Sequence, residues 1–300
     1  MAFLWIIAGL LLFLILFSAI EQRFLTVSEY TVISGRLDKE QAGFLFVLIA
    51  DLHNCSYGKS NQKLKEKIDS IKPDFIVMAG DMVTKRQKCF PGNAYSLVRD
   101  LAGRYQIYYS IGNHEQYYQM LGTDMGRSGD QNGREEKLYA SWTEFVRNLS
   151  DMGVIFLDND TIIRNQDNGT LQITGISIDS RFYGKGNAVR MEEGYLDDLV
   201  GKKPAEGYVI AVAHNPVYFN EYIRWGSDLI LSGHVHGGLI RLPHIGGVVS
   251  PQYNFFPKYD AGIFTENDQS MIVSRGLGSH SFMPRLFNRP ELVSVRIINR

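Results

Sequence analysis

Two pairs of ligand-type side chains in this sequence are each separated by a single residue. Asp51 and His53 form the first pair, and His234 and His236 form the second. Residues two apart in an extended chain project to the same side, so each pair can direct both side chains at one point. Carboxylate and imidazole groups are typical ligands of divalent metal ions. The spacing therefore indicates a metal site built from at least two segments.

Three more residues of ligand type follow apolar segments, either directly or after one glycine. They are Asp81, Asn113 and His214. A carboxylate after a strand often only caps the next helix, and a single histidine is commonly structural. Helix capping does not account for histidines after four of the five apolar segments. A set of this size exceeds the coordination of one ion, which predicts two divalent ions about 3.5–4 Å apart with a shared carboxylate.

The predicted ligands offer nitrogen and oxygen but no thiolate. Only two cysteines occur, Cys55 and Cys89, and they do not form a C-x-x-C pair. Imidazoles suit zinc, iron and nickel, whereas carboxylate and amide oxygens admit manganese. We therefore expect two divalent metal ions as cofactors, with manganese favoured and iron, zinc or nickel as alternatives.

Apolar runs and amphipathic segments must position these ligands. Five runs have the character of buried strands: Phe44–Ala50, Phe75–Ala79, Gln106–Ile111, Tyr208–Ala213 and Asp228–Leu231. Helical periodicity separates the early runs, at Asn61–Ile71 and Ala94–Gly103. This alternation predicts an α/β core with parallel central strands and ligands beyond their carboxyl ends. Later strand-like runs without long helices predict a second sheet packed on the first: Leu171–Ile176, Ala261–Phe264, Ser270–Val273 and Leu292–Ile298.

One long stretch, residues 116–136, has the composition of a loop. It is rich in glycine, aspartate and other polar residues and begins with aromatic side chains. Long loops in compact domains are commonly functional, so this stretch could form a lid over the site. The alternative is a solvent-exposed loop without a functional role.

Together, the five ligand-bearing segments resemble the calcineurin-like metallophosphoesterase superfamily, whose pattern is D-x-H, G-D, G-N-H-[DE], H and G-H-x-H in this order. The resemblance runs from about Phe44 to the carboxyl end and implies a four-layer α/β/β/α sandwich. It implies that one ion is held by Asp51, His53 and His236. It implies that the second ion is held by Asn113, His214 and His234, with Asp81 bridging the two.

The same resemblance implies catalytic side chains outside the ligand set. His114 is expected to donate to the phosphate or to protonate the leaving oxygen. Glu115 could orient the imidazole of His114, or it could only begin a helix, where the macrodipole favours a carboxylate. Arg275, which lies among glycines after an apparent strand, is the candidate for binding a substrate phosphate. Surface solvation is favoured for the other basic residues near the motifs: Lys85, Arg86, Arg241 and Arg285.

The implied activity is hydrolysis of a phosphodiester or pyrophosphate bond by a hydroxide that two metal ions activate. The segments 237–247 and 273–278 resemble a membrane-anchored bacterial subgroup of phosphodiesterases and lipid-headgroup hydrolases, some of which cleave a UDP-diacylglucosamine pyrophosphate. We therefore expect a phosphoester substrate that is membrane-associated or lipid-linked. The alternatives are a phosphomonoesterase, a nuclease, or a metal-binding scaffold without activity.

The first twenty residues differ from the rest of the chain. The segment Ala2–Ile20 contains no charge and no proline. As a helix it would be about 29 Å long, close to the thickness of a bilayer core. A cleaved signal peptide is the alternative, but the segment lacks a basic n-region and is longer than the usual apolar region of such peptides. We therefore predict a single-pass membrane anchor, and the flanking Glu21 and Arg23 leave its orientation open.

Composition limits the partners. The chain has 31 Lys and Arg residues against 32 Asp and Glu residues. Such a balance gives no basic surface for duplex nucleic acid, so we expect no nucleic-acid partner, and the sequence indicates no protein partner. We predict a transmembrane anchor over residues 1–22, a connecting segment over 23–42 and one catalytic domain over 43–300.

Overall fold

The computed structural model describes residues 1–37, 43–85, 87, 90–123, 133–166, 169–186, 188–203, 207–279 and 285–300. In this part of the chain the α-helices are α1 (Ala2–Glu21), α2 (Gln62–Ile71), α3 (Gly92–Ala102), α4 (Asn113–Thr123), α5 (Arg134–Ser150), α6 (Tyr195–Val200) and α7 (Phe219–Trp225). The first seven strands are β1 (Thr26–Ser34), β2 (Phe44–Ile49), β3 (Phe75–Ala79), β4 (Ile107–Ser110), β5 (Ile155–Leu157), β6 (Thr161–Gln166) and β7 (Gly169–Ile176). The others are β8 (Tyr208–Ala213), β9 (Leu229–Ser232), β10 (Arg241–Leu242), β11 (Gly246–Gly247), β12 (Gly262–Glu266), β13 (Gln269–Val273) and β14 (Glu291–Asn299).

Twelve of these strands form two six-stranded mixed sheets. The first sheet has the order β1-β14-β2-β3-β4-β5, and the second has the order β12-β13-β9-β8-β7-β6. The strands β2 to β5 run parallel, as do β7, β8, β9 and β13. The carboxyl ends of parallel strands lie at one edge of a sheet, so the loops that follow β2, β3 and β4 are neighbours. The short strands β10 and β11 pair with each other outside both sheets.

Alternating side chains of the strands separate the core into layers. In β2, Phe46 and Leu48 are buried between the two sheets, whereas Val47 and Ile49 pack under the helices of the first sheet. The second sheet buries its outer face against α6 and α7. This is the period-two pattern of strands that are covered on both faces. The result is the predicted α/β/β/α arrangement, and the fold class is confirmed.

The strands expected from apolar runs form within one or two residues of their predicted ends, but the predicted loop over residues 116–136 differs from expectation. Residues 116–123 of the predicted loop are helical, because α4 extends to Thr123 and buries Tyr118 and Leu121 against α5 and the core. Residues 124–132 of that loop lie outside the described part of the chain, and its last residues, 134–136, begin α5. In the predicted connecting segment, β1 forms and pairs in parallel with β14 at the edge of the first sheet. The predicted domain boundaries stay a prediction.

The apolar helix α1 contacts the rest of the protein in its last turns. The ring of Phe17 lies 5.4 Å from that of Phe287, and the Glu21 carboxylate accepts a hydrogen bond of 3.3 Å from the backbone N–H of Asn288. Within the described residues, α1 is long and apolar enough to cross a membrane. Its length and composition also fit a signal sequence.

Candidate metal centre

Five loops at the carboxyl ends of strands bring the predicted ligands together. The loops after β2, β3 and β4 come from the first sheet, and those after β8 and β9 come from the second. Ligand atoms lie within 4.8 Å of one another in three overlapping groups: Asp51, His53 and His236; His53, Asp81 and His114; and Asp81, His214 and His234. His53 is shared by the first two groups and Asp81 by the last two, so the three form one continuous cluster.

The first group is organised around the carboxylate of Asp51. Its Oδ1 lies 3.3 Å from Nε2 of His236 and 3.9 Å from Nε2 of His53. The Nδ1 of His53 lies 3.3 Å from the carbonyl oxygen of Val83, which fixes the ring so that Nε2 faces the cluster. His53 Nε2 and His236 Nε2 are 3.1 Å apart. All three side chains are buried, so their converging polar atoms are withdrawn from bulk water.

The second group is organised around Asp81. Its Oδ2 lies 3.1 Å from Nε2 of His214, and its Oδ1 accepts a hydrogen bond of 2.9 Å from the backbone N–H of His114. His214 Nδ1 is 2.6 Å from the carbonyl oxygen of Ala79, so that nitrogen donates and Nε2 is directed at Asp81. His53 and His214 are thus each oriented by a backbone carbonyl on one side and present the other nitrogen to the carboxylates.

Asn113 and His114 are neighbours at the start of α4 with different surroundings. The Oδ1 of Asn113 is buried and has no hydrogen-bond partner among the described residues. The Nδ1 of His114 accepts a hydrogen bond of 3.1 Å from the backbone N–H of Lys85, so the proton of its neutral ring lies on Nε2. His114 Nε2 is 3.8 Å from Asp81 Oδ2. Asn113 therefore has an unused acceptor, and His114 presents a donor to the cluster.

Backbone strain accompanies the cluster. Five of the predicted ligands have positive φ angles between 48° and 69°: Asp51, His53, Asp81, His234 and His236. Left-handed backbone is uncommon for residues other than glycine and is concentrated at functional sites. Gly112 and Gly233 allow the approach, because a Cβ at these positions would collide with the carboxylates of Asp81 and Asp51. The strained backbone and the adjacent glycines therefore allow the predicted ligands to come close together.

Burial and mutual charge shift the pKa values of the cluster. Burial raises the pKa of Asp51 to about 7, against the opposing effect of His214 and with support from Asp81. The pKa of Asp81 is well below its ordinary value despite its burial, because His114 and His214 stabilise the carboxylate. Burial alone would lower the pKa of His214, but Asp81 raises it to about 10. Of the two carboxyl groups, Asp81 is therefore the one that ionises more readily.

The structure places Glu115 differently from the expected contact with His114. Its carboxylate accepts hydrogen bonds from the backbone N–H groups of Asp81 and Met82, both at 2.8 Å, and from Gly112 at 3.0 Å. The Tyr109 hydroxyl donates to it at 2.8 Å. Glu115 is fully buried, and its carboxylate holds the loop that carries Asp81. It acts on the backbone of that loop, so we interpret Glu115 as a residue that positions Asp81 rather than His114.

Arg275 is also placed differently from the predicted phosphate clamp. Its guanidinium lies 3.0 Å from the carboxylate of Glu291 and donates to the hydroxyl of Thr26 at 3.2 Å, which ties β1 to β14. Arg285, which we expected at the surface, is fully buried. Burial lowers its pKa to about 10. Both guanidinium groups bond other parts of the protein, although Nε of Arg285 has no hydrogen-bond partner among the described residues.

Two features near the cluster were not predicted from the sequence. The side-chain amide of Gln252 contacts Nε2 of His234. A cleft of about 570 Å³ lies between Val235 of the ligand-bearing loop and the segment 250–259. No spacing in the sequence relates Gln252 to His234, because the contact depends on how the chain returns after β11. The cleft lies beside the loop that carries His234 and His236, because Val235 and Gln252 both line it.

The donor set fits two divalent cations. The nitrogens His53 Nε2 and His236 Nε2 converge on the same carboxylate oxygen, an arrangement that a shared cation stabilises. The buried Oδ1 of Asn113, which has no hydrogen-bond partner among the described residues, could serve as a neutral oxygen ligand. Oxygen and nitrogen donors without thiolate match the ions expected from the sequence. The residues present therefore fit a dinuclear centre.

Comparison with known proteins agrees with this geometry. The profile of the calcineurin-like phosphoesterase family matches residues 44–238. The chain is 25% identical over 279 residues to the uncharacterized metallophosphoesterase YkuE of Bacillus subtilis (strain 168), covering 91% of this chain and 85% of the relative. It is 24% identical over 263 residues to the phosphodiesterase YaeI of Escherichia coli (strain K12), covering 86% and 83%. It is 25% identical over 288 residues to the UDP-2,3-diacylglucosamine pyrophosphatase LpxG of Chlamydia trachomatis serovar D, covering 85% and 84%. The family profile spans well over half of the chain, and this protein therefore belongs to the calcineurin-like phosphoesterase family.

Proposed function

We propose that this protein hydrolyses a phosphodiester or pyrophosphate bond at a dinuclear metal centre. In this proposal one ion is held by Asp51, His53 and His236. The other is held by Asn113, His214 and His234, and Asp81 bridges them. The observation that carries the proposal is the convergence of buried carboxylate and imidazole atoms from five loops within 4.8 Å in each group. Manganese is the proposed native metal, and iron, zinc and nickel are the alternatives that the same donors admit.

The two ions would neutralise the charge of the phosphoryl oxygens and lower the pKa of a bound water molecule. His114 supplies a different function, because its Nε2 carries the proton and faces Asp81 across 3.8 Å. A positioned imidazole donor contributes about 10²–10⁴-fold to a reaction rate by general acid catalysis. We assign to His114 the donation of a proton to the leaving oxygen.

A diester or pyrophosphate linked to a lipid is the proposed substrate class. The relatives named as a phosphodiesterase and as a UDP-2,3-diacylglucosamine pyrophosphatase support this choice over a monoester. The apolar helix α1 supports it as well, because an enzyme held at a membrane meets lipid-linked substrates without diffusion through water. In this proposal α1 is a membrane anchor.

The proposal is tested with the full chain, purified in detergent, freed of metal and supplied with Mn²⁺, Zn²⁺, Ni²⁺ or Fe²⁺. Hydrolysis of bis(p-nitrophenyl) phosphate and of p-nitrophenyl phosphate is compared for the parent protein, Asp81→Asn and His114→Ala. His244→Ala is the matched control, because His244 is exposed and lies outside the cluster. We expect diester hydrolysis to depend on metal and to exceed monoester hydrolysis.

The two variants have different expected defects. Asp81→Asn should lose both bound metal and activity, whereas His114→Ala should keep its metal and lose about 10²–10⁴-fold in kcat. Faster monoester than diester hydrolysis would favour a phosphomonoesterase. A folded, metal-loaded parent protein that cleaves neither compound nor a lipid-linked diester would instead favour the scaffold alternative.

A further inference from the structure

We propose that six exposed apolar residues beside the end of α1 form a surface that inserts into the interface of the lipid bilayer. We call this surface the apolar rim; it consists of Leu242, Ile245, Tyr253, Phe255, Phe256 and Phe287. The inference rests on the proposed function and on the role of α1 as an anchor. It adds a second region of membrane contact, which holds the metal centre at the membrane surface.

The rim is continuous with the last turns of α1. The Phe287 ring lies 5.4 Å from the ring of Phe17, and the preceding residue, Leu286, pairs with the segment that leads into β10. The backbone N–H of Arg241 donates to the carbonyl of Leu286 at 3.0 Å. If α1 spans a bilayer, Phe17 lies near its boundary, and the attached rim residues lie at the same level.

The exposure of the rim is unusual for side chains of its type. Its members are between 38% and 72% exposed, and Phe255 is the most exposed. Single exposed apolar residues are common, but a contiguous group of large ones marks an interaction site. Tyr253, Phe256 and Phe287 also have positive φ angles, at 65°, 48° and 56°. Bulky side chains avoid this backbone region, so the structure presents these rings outward against a conformational cost.

Cationic side chains lie beside the rim residue Tyr253 and beside Phe24, which follows α1, and they indicate a lipid surface. Lys185 Nζ lies 4.9 Å from the ring centre of Tyr253, and the guanidinium of Arg289 lies 5.6 Å from that of Phe24, which is 56% exposed. Aromatic side chains flanked by lysine and arginine are typical of the boundary between water and the acyl region of a bilayer. The cations would meet anionic headgroups. The chemistry of the rim therefore matches a bilayer with anionic lipids.

The rim is connected to the metal centre by one short segment. Gln252 contacts His234, and the next residue, Tyr253, belongs to the rim. The cleft beside Val235 runs along the same segment. With the rim in the headgroup region, a phosphoester on a lipid headgroup could reach the ligands while its acyl chains stay in the bilayer. The rim thus selects for membrane-bound over soluble phosphoesters.

Insertion is tested by quenching of tryptophan fluorescence in the full chain, reconstituted into vesicles of phosphatidylcholine and phosphatidylglycerol. A Trp5→Phe background removes the tryptophan of α1. Phe255→Trp then reports on the rim. Ile163→Trp is the matched control, because Ile163 is 52% exposed and lies on β6, at the edge of the second sheet opposite to β12, the strand that follows the rim residues 253–256. Brominated phosphatidylcholine should reduce the added signal of Phe255→Trp by more than half and that of Ile163→Trp by less than a tenth.

Equal quenching at the two positions, or none at Phe255→Trp, would overturn the proposal. The parent chain provides the check on α1, because Trp5 must be quenched by the same lipid if the helix is inserted. If Trp5 is not quenched, α1 is not inserted in the bilayer, and the proposal is contradicted as well. This optical readout does not depend on catalysis, so it decides the membrane contact even if the proposed function fails.

A second measurement tests the selection for membrane-bound substrate. Ile245→Glu places a charge in the rim at a residue that is 61% exposed. We expect hydrolysis of bis(p-nitrophenyl) phosphate to stay within twofold of the parent protein. Hydrolysis of the p-nitrophenyl ester of phosphatidic acid in vesicles should fall at least fivefold. An equal change on both substrates, or none on either, would contradict the selection, whereas a parent protein inactive on both would contradict the proposed function.

Discussion

The carboxylate of Glu115 accepts a hydrogen bond of 2.8 Å from the backbone N–H of Asp81, the central carboxylate of the cluster. The contact joins the first turn of α4 to the loop after β3. Further backbone donors and the Tyr109 hydroxyl complete the partners of Glu115. The position of Asp81 is therefore set by a buried side chain 34 residues further along the chain.

Replacement of Glu115 by alanine should destabilise the protein by at least about 3 kcal/mol, because it leaves several buried N–H donors without an acceptor. It should also weaken metal binding, since Asp81 loses its support. Denaturant unfolding in detergent and metal content after dialysis measure the two effects. Glu144→Ala is the matched control, because Glu144 is an exposed residue of α5 and its loss should cost less than about 0.5 kcal/mol. Equal stability of Glu115→Ala and Glu144→Ala would contradict the interpretation that Glu115 positions Asp81.

Gln252 should tune the affinity of the metal site through His234. The amide of Gln252 contacts Nε2 of the ring, which leaves Nδ1 as the nitrogen available to an ion. Loss of such an outer partner lowers metal affinity or activity by about 10–100-fold. We expect Gln252→Ala to raise the metal Kd by this factor, as measured by competition with a chelating dye. Gln269→Ala is the control, because Gln269 bonds only backbone carbonyls remote from the cluster among the contacts described. An unchanged Kd in Gln252→Ala would show that the contact does not orient His234.

Metal affinity should increase with pH because of His214. Its pKa is raised to about 10 by Asp81 in the metal-free protein, although burial opposes this rise. An ion binds only the neutral imidazole, so the proton must leave when the metal enters. Below pH 10, each unit of pH should lower the Kd by up to about tenfold for this one proton. Isothermal titration calorimetry in two buffers of different ionisation enthalpy counts the protons released. A pH-independent Kd without proton release would contradict the assignment of His214 as a ligand.

The sequence predicted that ligand-type side chains would cluster, because each follows a strand and the carboxyl ends of parallel strands meet. The D-x-H and G-H-x-H spacings carry this information locally, and the structure brings those residues into one cluster. The helix over residues 116–123 was missed, because its core contacts come from Tyr118 and Leu121 within an otherwise polar sequence. The pairing of β1 with β14 was also missed, since it joins positions more than 260 residues apart.

The contacts of Glu115 and Arg285 show a second limit of prediction from sequence. Spacing can indicate that two ligands face one point, but it does not reveal which backbone groups a buried charge will satisfy. Glu115 bonds N–H groups of two different loops, and Arg285 donates to carbonyls of a third. Such partners depend on how distant loops pack together. The clustering of the ligand-type side chains could therefore be predicted from the sequence, whereas the residues that support their loops could not.

Arg285 should support the cluster through the loop 275–278. Its guanidinium donates to the carbonyl oxygens of Arg275 at 2.7 Å and of Gly278 at 3.0 Å. That loop packs against Asp51, because the backbone N–H of Gly278 donates to the carbonyl of Asp51 at 2.6 Å. Removal of a buried charge that satisfies several carbonyls leaves those acceptors unpaired in a region closed to water.

We expect Arg285→Met, which keeps most of the side-chain volume, to destabilise the protein by at least about 2 kcal/mol, because several buried carbonyls lose their donor. It should also reduce the amount of bound metal, because Asp51 is released from its support. Thermal melting followed by circular dichroism, with and without Mn²⁺, measures both changes. Arg296→Met is the matched control, because Arg296 is exposed on β14 and its loss should leave the melting temperature almost unchanged. If Arg285→Met melts and binds metal like this control, the loop holds Asp51 without the buried guanidinium.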